Sequence, residues 1–495
     1  MSLPVVILLV GTPLLTPPPA PPALPRDPVV DEVPLAPAIP EAGADEVIGP
    51  AAGAPTVDLA GAVALSLENN FAILGTVDSV TSSRLGENVA RAQFYPKLLP
   101  SYGRSGDDTS IAMSASQKLP FTGGSVAASA TFRSAIDDAV PLPHRSDLQL
   151  SLTQPLLRGF GPNAAHYDLR NQRRARERAE RDLELERQRL AVRVAGAFYE
   201  IVRQRQLLGV AQQSLHRTEA LLEASQARLR VGLVSKLDVF RAELQAAQAR
   251  ESAVRAETAL QGALEQFRAL LGMSPAEALE PQAVTLAEEI PTDTLEPVEV
   301  LVERARLNRR DLQETRDQVD DARRTVSLAR QNLLPQLDLN VSLSRFGLGT
   351  SFGGAWDAGE RRVNVFLSSS YPLERTGDVT QKAMAELAMS ASNRHLRQRE
   401  LDLEAEVRGA VRELHRLRKS IELQKTAVDV AEQQHRLASL RYQRGLASNF
   451  DVVDAEGSLV VARSALVGLL TSYRVARIDL LRVTGELDVE KEFAR

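Results

Sequence analysis

The chain has 495 residues, a formal net charge of −5 and no cysteine. The lack of cysteine excludes disulfide frameworks, thiolate zinc sites and cysteine nucleophiles, and the slightly negative charge excludes the basic field that attracts nucleic acid. Aromatic residues make up 4% of the chain and charged residues 25%, a composition that favours elongated helices over several bulky globular cores.

The first 55 residues have no pattern that builds a folded core. The opening stretch MSLPVVILLVGTPLL contains a short apolar run like that of a signal peptide, although no Lys or Arg precedes it. Prolines then recur from Pro13 to Pro40, which indicates an extended leader. No later segment has the ~18 to 20 uninterrupted apolar residues of a membrane-spanning helix. Any membrane-crossing part is therefore expected to consist of strands.

A helical pattern from Thr56 to about Gln93 is followed by strand-like sequence. Residues 97–156 are rich in Ser, Thr, Gly and Ala, and residues 147–154 alternate between apolar and polar side chains with period two, as in a strand with one buried face. A second hairpin is predicted within 110–132. Its alternation is weak. Because the later part of the chain has no counterpart of it, the sequence leaves open whether this hairpin joins a β-barrel or projects outside it.

Residues 165–229 form one very long helical segment. Its apolar residues follow 3-4 or 7 spacing throughout, as at Leu190, Val194 and Ile201, which is typical of a coiled-coil seam. At 1.5 Å per residue this segment is roughly 100 Å long. Another helix begins near Leu237 and returns alongside it, so the two form a helical hairpin.

The whole pattern occurs twice. VGLVSKLDVFRAE at 231–243 is matched by RGLASNFDVVDAE at 444–456, and Gly445 follows Gly232 by 445 − 232 = 213 positions. A helix, a strand hairpin, a long helix and a returning helix follow one another in both halves, which indicates a duplication. The predicted divisions are a signal-like, Pro-rich leader at 1–55, a first repeat at 56–275, a connector at 276–297, a second repeat at 298–486 and a tail at 487–495.

Such a chain is expected to assemble with copies of itself. The two clear strand hairpins, one in each repeat, give about four strands. Four strands are too few to close a barrel, since every strand edge in a membrane must be paired and bacterial barrels have at least about 8 strands. Three copies would supply roughly twelve. The predicted fold is therefore mainly α with a β-barrel portion, in which a trimer forms a 12-stranded β-barrel continued by an α-helical barrel.

Four aromatic residues flank the strand hairpin of the second repeat. Aromatic side chains at these places would anchor a barrel in the membrane interface. Packing within a core or a loop is the alternative. The residues concerned are Phe346, Phe352, Trp356 and Tyr371.

The order and duplication of these motifs resemble the TolC-type outer-membrane efflux protein family. The resemblance rests on the two Gly-Leu-x-Ser-x-x-Asp-Val turns, on LTQPLLRGFG at 152–161 and on the Pro-x-Leu helix exits at Pro96 and Pro335. It implies a homotrimeric channel-tunnel in the bacterial outer membrane that extends into the periplasm, a passive exit duct for tripartite efflux or type I secretion. The implied partners are outer-membrane lipid, a periplasmic adaptor and an inner-membrane pump or ABC transporter. The resemblance implies no enzyme activity, no cofactor and no nucleic-acid partner.

The resemblance also implies a constriction at the periplasmic mouth. Asp451 and Asp454 match the family's acidic constriction, and Tyr442 and Asp238 match members of the network that holds the mouth shut. Asp454 lies three residues after Asp451, on the same face of a helix, so threefold symmetry would gather six carboxylates around one axis. We expect these carboxylates to attract cations.

The family's gating arginine falls on Ala447 in this chain. The closing salt bridge is therefore expected only if Arg444 or Lys236 replaces it. A local role is also open for two of the acidic residues, because Ser235 to Asp238 and Ser448 to Asp451 both fit the Ser-x-x-Asp capping box that begins a helix.

The two hairpin turns are the expected contact with the adaptor. Their glycines would supply a tight turn in any helical hairpin, and plain turn packing is the alternative for the two leucines. The predicted contact residues are Gly232, Leu233, Ser235, Gly445, Leu446 and Ser448.

A soluble coiled-coil scaffold without membrane insertion is the alternative function. It accounts for the heptad spacing but not for alternating strands at matching places in both repeats. The six histidines form no metal-ligand pattern, and no phosphate loop, Ser-His-Asp set or pair of catalytic acids stands out in the sequence. No catalytic or metal-binding residues are predicted.

Overall fold

A computed structural model describes residues 55–106, 108–135, 144–230, 234–282, 296–444 and 446–493. The predicted leader therefore lies outside the described residues, apart from its last position. In chain order, the elements are β1 (Thr56–Val57), α1 (Leu59–Asn69), α2 (Phe71–Ala92), β2 (Lys97–Ser105), β3 (Asp108–Lys118), β4 (Ser125–Ala135), β5 (His144–Pro155), α3 (Pro162–Ala165), α4 (Tyr167–Arg230), α5 (Lys236–Leu270), β6 (Glu280–Pro281), α6 (Val298–Asn308), α7 (Arg310–Asn332), β7 (Gln336–Gly349), α8 (Phe352–Asp357), β8 (Glu360–Ser370), α9 (Thr376–Gln443), α10 (Asn449–Thr484) and α11 (Val489–Phe493).

The two long helical hairpins form as predicted. α4 packs along α5, α9 packs along α10, and α4 also packs against α10. The seam residues Leu190 and Val194 are buried, as are Leu403 and Val407, their counterparts in the second repeat. Helices of 64 and 68 residues are thus stabilised by burial of a continuous apolar seam, which contributes more than intrinsic helix propensity.

Each repeat begins with two helices where the sequence predicted one. Asn70 separates α1 from α2 and Arg309 separates α6 from α7, both in extended backbone. The Asn70 side-chain amide donates to the carbonyl of Leu270 at 2.8 Å, and the Arg309 guanidinium donates to the carbonyl of Val483 at 3.2 Å. Both bonds satisfy a carbonyl at the end of a returning helix. The breaks depend on these long-range contacts, which helical periodicity does not reveal.

The long strands form one antiparallel sheet of six, in the order β2-β3-β4-β5-β7-β8. The hairpin predicted within 110–132 is β3–β4, and it lies in this sheet between β2 and β5. The expectation of four strands per chain is therefore wrong, and the twelve-strand total that depended on it no longer follows. The weak alternation has a physical cause, since small Ala and Ser residues occupy both faces of β4.

The short helix α8 lies between β7 and β8 in the chain and packs against β7 and β5 of the sheet. The Ser146 hydroxyl donates to the carbonyl of Ala355 at 2.8 Å. The ring of Phe132 lies 6.2 Å from that of Phe352 and 6.0 Å from that of Trp356, between centroids. Loop packing therefore accounts for two of the four flanking aromatic residues, and contact of any of them with lipid stays a prediction.

α10 is the one helix of the described ranges that is long and apolar enough to cross a membrane. Glu456 and Arg463 interrupt its apolar run, which is why the sequence expectation did not include it. Leu459 and Ala462 pack with Ala431 of α9. Packing of α10 against α9 within the second helical hairpin therefore uses apolar residues of this stretch.

Candidate functional site at the hairpin tips

Tyr442, near the end of α9, connects the two helical hairpins. Its side chain is buried, and its hydroxyl lies 2.9 Å from the hydroxyl of Ser225 on α4. The Arg228 guanidinium lies 4.2 Å from the centroid of the Tyr442 ring and donates to the Tyr442 carbonyl at 2.7 Å. The ends of the two hairpins therefore lie side by side.

The arginine beside Tyr442 comes from the first repeat. Arg444 and Lys236, which the sequence suggested as replacements for an arginine at Ala447, are both exposed. Arg228 stands 214 positions before Tyr442, so sequence reasoning had no local signal for it. Only the packing of one hairpin against the other brings the guanidinium to the aromatic ring.

Asp451 and Asp238 each complete a capping box, so their local role is confirmed. The Asp451 carboxylate accepts from the backbone N–H of Ser448 at 2.7 Å and from its hydroxyl at 2.9 Å. The Asp238 carboxylate accepts from the N–H and hydroxyl of Ser235 at 3.2 and 2.7 Å. The two hydrogen bonds from Ser448 lower the pKa of Asp451 below its ordinary value, because they stabilise the ionised form.

The four predicted gate residues are only partly brought together. Asp454 is exposed one turn along α10 from Asp451. Tyr442 contacts α4, whereas the Asp238 carboxylate is engaged with its own cap. Asp238 reaches the second hairpin through its backbone, since its carbonyl accepts from the side-chain amide of Asn449 at 2.8 Å. A role in gating remains a prediction for all four.

The described part of the predicted adaptor contact is exposed. Leu446 is 75% exposed, and Ser235 and Ser448 are also exposed. An apolar side chain of this size in water is consistent with a contact surface. The other three predicted contact residues lie outside the described residues: Gly232, Leu233 and Gly445.

A buried charged cluster lies near the tips, and sequence reasoning missed it. Arg217 of α4 donates to both carboxylate oxygens of Glu456 on α10 at 2.7 and 2.8 Å, and His435 Nε2 of α9 lies 3.1 Å from the same carboxylate. The Glu456 side chain is only 3% exposed. The cluster therefore joins three long helices of both repeats with charge-assisted hydrogen bonds.

The same cluster shifts the pKa of His435. Burial lowers this pKa below its ordinary value, and the Glu456 carboxylate partly offsets the effect while Arg217 and Arg463 add to it. Glu243, the counterpart of Glu456 in the first repeat, is exposed. The duplicated turns thus carry the same motif, but only the second repeat uses its glutamate as a buried partner.

Both repeats match a known family. Residues 62–273 and 301–486 match the outer membrane efflux protein family. The outer membrane protein TolC of Escherichia coli K12 is 25% identical over 315 residues, which cover 61% of this chain and 62% of that protein. The probable efflux pump outer membrane protein TtgC of Pseudomonas putida is 22% identical over 313 residues, or 60% of each. The chain thus spans about three fifths of the length of the curated relatives it matches.

Solved structures share the fold over most of the chain. A structure of CusC superposes with a TM-score of 0.68 at 19% identity and covers 87% of this chain and 93% of that one. The outer membrane protein VceC of Vibrio cholerae gives a TM-score of 0.67 at 19% identity and covers 86% and 96%. At these identities the likeness concerns the fold alone. With both repeats matched by the family's sequence pattern, the chain belongs to the outer membrane efflux protein family.

Proposed function

We propose that this protein is a passive exit duct in the bacterial outer membrane and that three copies build it. The observation that carries the proposal is a sheet with two free edges, since β2 and β8 each pair with one neighbour within the described residues. Free strand edges are not viable in hydrocarbon, where every backbone group must be paired. Identical neighbours supply the missing partners when β8 of one copy meets β2 of the next.

The helical hairpins support the same assembly. Leu237, Phe240 and Leu244 on α5 are each more than half exposed. Large apolar residues are also exposed along α9, among them Leu423 and Val430. α5 and α9 lie at opposite edges of the four-helix arrangement, because α4 and α10 form the contact between hairpins. We expect α5 of one copy to pack on α9 of its neighbour and close an α-helical tunnel of roughly 100 Å.

The tips would then form the periplasmic mouth of the duct. The contacts of Tyr442 with Ser225 and Arg228 hold neighbouring hairpins together, which favours a closed mouth. Asp451 and Asp454 supply exposed carboxylates close to it. We propose that these residues attract cations, and that Asp238 supports the closed state through its bond with Asn449.

The proposed partners follow from the relatives and from the exposed tips. TtgC is described as a probable outer membrane protein of an efflux pump. A passive duct of this kind needs an inner-membrane pump or ABC transporter and a periplasmic adaptor to deliver substrate to it. The adaptor would bind the predicted tip residues, of which Leu446 is the exposed apolar anchor. The two repeats, at 56–275 and 298–486, would each supply one tip. In this role the chain performs transport without enzyme chemistry.

The test is fractionation followed by channel recording. We expect the protein in the outer membrane as a heat-modifiable trimer that needs detergent for extraction and that conducts ions in planar bilayers. A monomer without conductance, or full recovery in the soluble fraction, would overturn the duct and leave the coiled-coil scaffold. The exposed apolar face of the sheet already disfavours that scaffold, because Leu343 and Val363 are left without cover.

A further inference from the structure

The first repeat carries a strand hairpin that the second repeat lacks. In the second repeat only α8 separates β7 from β8, whereas β3 and β4 stand between β2 and β5 in the first. β3 pairs with the whole of β2, from Lys97 to Ser105, and β4 pairs with β5 from Ser125 to Ser134. Backbone pairing on both sides makes the β3–β4 hairpin a continuous part of the sheet.

The hairpin also continues the apolar face of the sheet. Residues directly opposite each other in a ladder share a face. Met113 of β3 lies opposite Pro100 of β2 and Ala130 of β4, and Ala130 lies opposite Leu148 of β5. The adjacent row is apolar across all six strands and comprises Leu98, Ala115, Ala128, Leu150, Leu343 and Val363.

The opposite face is mostly polar, again across the hairpin. Ser114 of β3 lies opposite Ser129 of β4, which lies opposite Gln149 of β5. β3 and β4 have 11 residues each, the length of a tilted strand that crosses a bilayer. Ile111 and Met113, on the apolar face, are 54% and 52% exposed. Away from the end of the sheet, alternation, length and exposure together favour lipid hydrocarbon as the cover of this face. At that end, the row of Met113 continues to Arg345 and Arg361, and α8 packs on Phe132.

We propose that the β3–β4 hairpin enlarges the barrel, so that three six-stranded sheets close into one of eighteen strands. The proposal rests on the trimer proposed above. Strand directions alternate along the sheet, so β8 of one copy and β2 of the next run antiparallel and can pair directly. Barrel diameter grows roughly linearly with strand number, and about 16 to 18 strands leave a water-filled channel in porins. The outlet is therefore about one and a half times as wide as a twelve-stranded barrel would be.

Arginine substitutions on neighbouring residues test the membrane position of the hairpin. Met113→Arg puts a charge on the face assigned to lipid, and Ser114→Arg puts the same charge on the face assigned to the lumen. We expect Met113→Arg to lower the yield of heat-modifiable trimer in outer membranes at least tenfold, since arginine on a lipid face is strongly destabilising, while Ser114→Arg stays near the parent level. Equal tolerance of both would overturn the proposal.

Engineered disulfides test the strand order directly, because the chain has no cysteine of its own. Ser101, Ala112, Thr131 and Asp147 form one row across β2, β3, β4 and β5. Paired cysteine substitutions at Ser101 with Ala112, and at Thr131 with Asp147, should oxidise in purified outer membranes. The pair Ser101 with Asp147 should not, since three strand spacings of about 4.8 Å separate its members.

A strand count on the purified trimer completes the test. Eighteen strands in an electron cryomicroscopy map are expected. A trimer with twelve strands, or one in which the Ser101 and Asp147 cysteines cross-link, would overturn the enlarged barrel but leave the duct standing. A protein that forms no trimer in the outer membrane would instead overturn the duct itself.

Discussion

The hydroxyl of Ser225 lies 2.9 Å from the hydroxyl of Tyr442, and this contact joins the first repeat to the second. Ser225 also donates to the carbonyl of Leu221 at 2.8 Å, so Tyr442 donates to Ser225 in the shared bond. Both side chains are buried. Each hairpin therefore holds the other in place close to its tip.

Tyr442→Phe removes this hydrogen bond and leaves the stacking of Arg228 intact. We expect a loss of roughly 1 kcal/mol in the contact between hairpins and a larger open probability of the channel in planar bilayers, with little change in trimer yield. Tyr473→Phe is the control, because Tyr473 is a partly buried tyrosine of α10 that packs against the apolar core of the second repeat. Unchanged gating in Tyr442→Phe would argue against a closing role.

Glu456→Gln removes one charge from the buried cluster and leaves Arg217 without its ionic partner. Breaking a buried ion pair from one side typically costs about 3–5 kcal/mol, so we expect a clear fall in the denaturant midpoint of the detergent-solubilised protein. Glu243→Gln, the exposed counterpart in the first repeat, should change stability by less than about 0.5 kcal/mol. Similar effects of the two substitutions would show that burial of Glu456 is not what matters.

His435 should make stability depend on pH. Burial lowers its pKa, so the neutral form is favoured in the folded protein. The contribution of neutral His435 to the free energy of unfolding is complete above the ordinary histidine pKa of about 6.5. This contribution is lost as pH falls through the lowered pKa of His435. We expect His435→Gln to flatten the stability profile between about pH 7 and pH 5, measured by chemical unfolding, whereas substitution of His415, exposed on the same helix, should leave the profile unchanged.

Asp451 and Asp454 separate capping from the attraction of cations. Asp454→Asn removes a charge without touching the cap, so it should reduce cation selectivity, seen as a shift in reversal potential, and leave stability unchanged. Asp451→Asn should reduce cation selectivity and should also lower stability, because it removes a charge and weakens the cap. The cap should hold above the ordinary carboxylate pKa near 4 and weaken as pH falls through the lowered pKa of Asp451. If Asp454→Asn keeps full cation selectivity, the proposed attraction of cations by these carboxylates is wrong.

Gly272 follows the returning helix α5 with φ of +76°, a left-handed conformation that favours glycine. A Cβ atom there would lie 2.4 Å from the carbonyl oxygen of Asn69. We therefore expect Gly272→Ala to destabilise the protein by at least about 1–2 kcal/mol in thermal unfolding. Gly262→Ala, inside α5 with open space around it, should instead be neutral or slightly stabilising.

The sequence predicted the long helices well because their seams repeat over many turns. Leu190 and Leu403 are both buried, as their spacing required. It did not predict the helix breaks at Asn70 and Arg309, which depend on carbonyls about 200 and 174 positions away in the chain. Periodicity carries no information about such distant partners.

The candidate site was predicted in the same uneven way. The Ser-x-x-Asp boxes are local motifs and formed as expected. Arg228 and Arg217 belong to the first repeat, whereas Tyr442 and Glu456, which they contact, belong to the second, so only the packed hairpins reveal these pairs. Strand number was underestimated because β4 consists largely of Ala and Ser, whose similar sizes blur the alternation on which strand prediction depends.

The place of β3 and β4 in the sheet has an evolutionary consequence. A hairpin adds one ascending and one descending strand, so the edges β2 and β8 keep opposite directions however many hairpins are inserted. β2, β3, β4 and β5 follow one another without a helix between them, so the inserted hairpin adds no helix to the tunnel. The width of the pore at the cell surface can therefore evolve separately from the adaptor and pump that deliver substrate at the periplasmic end.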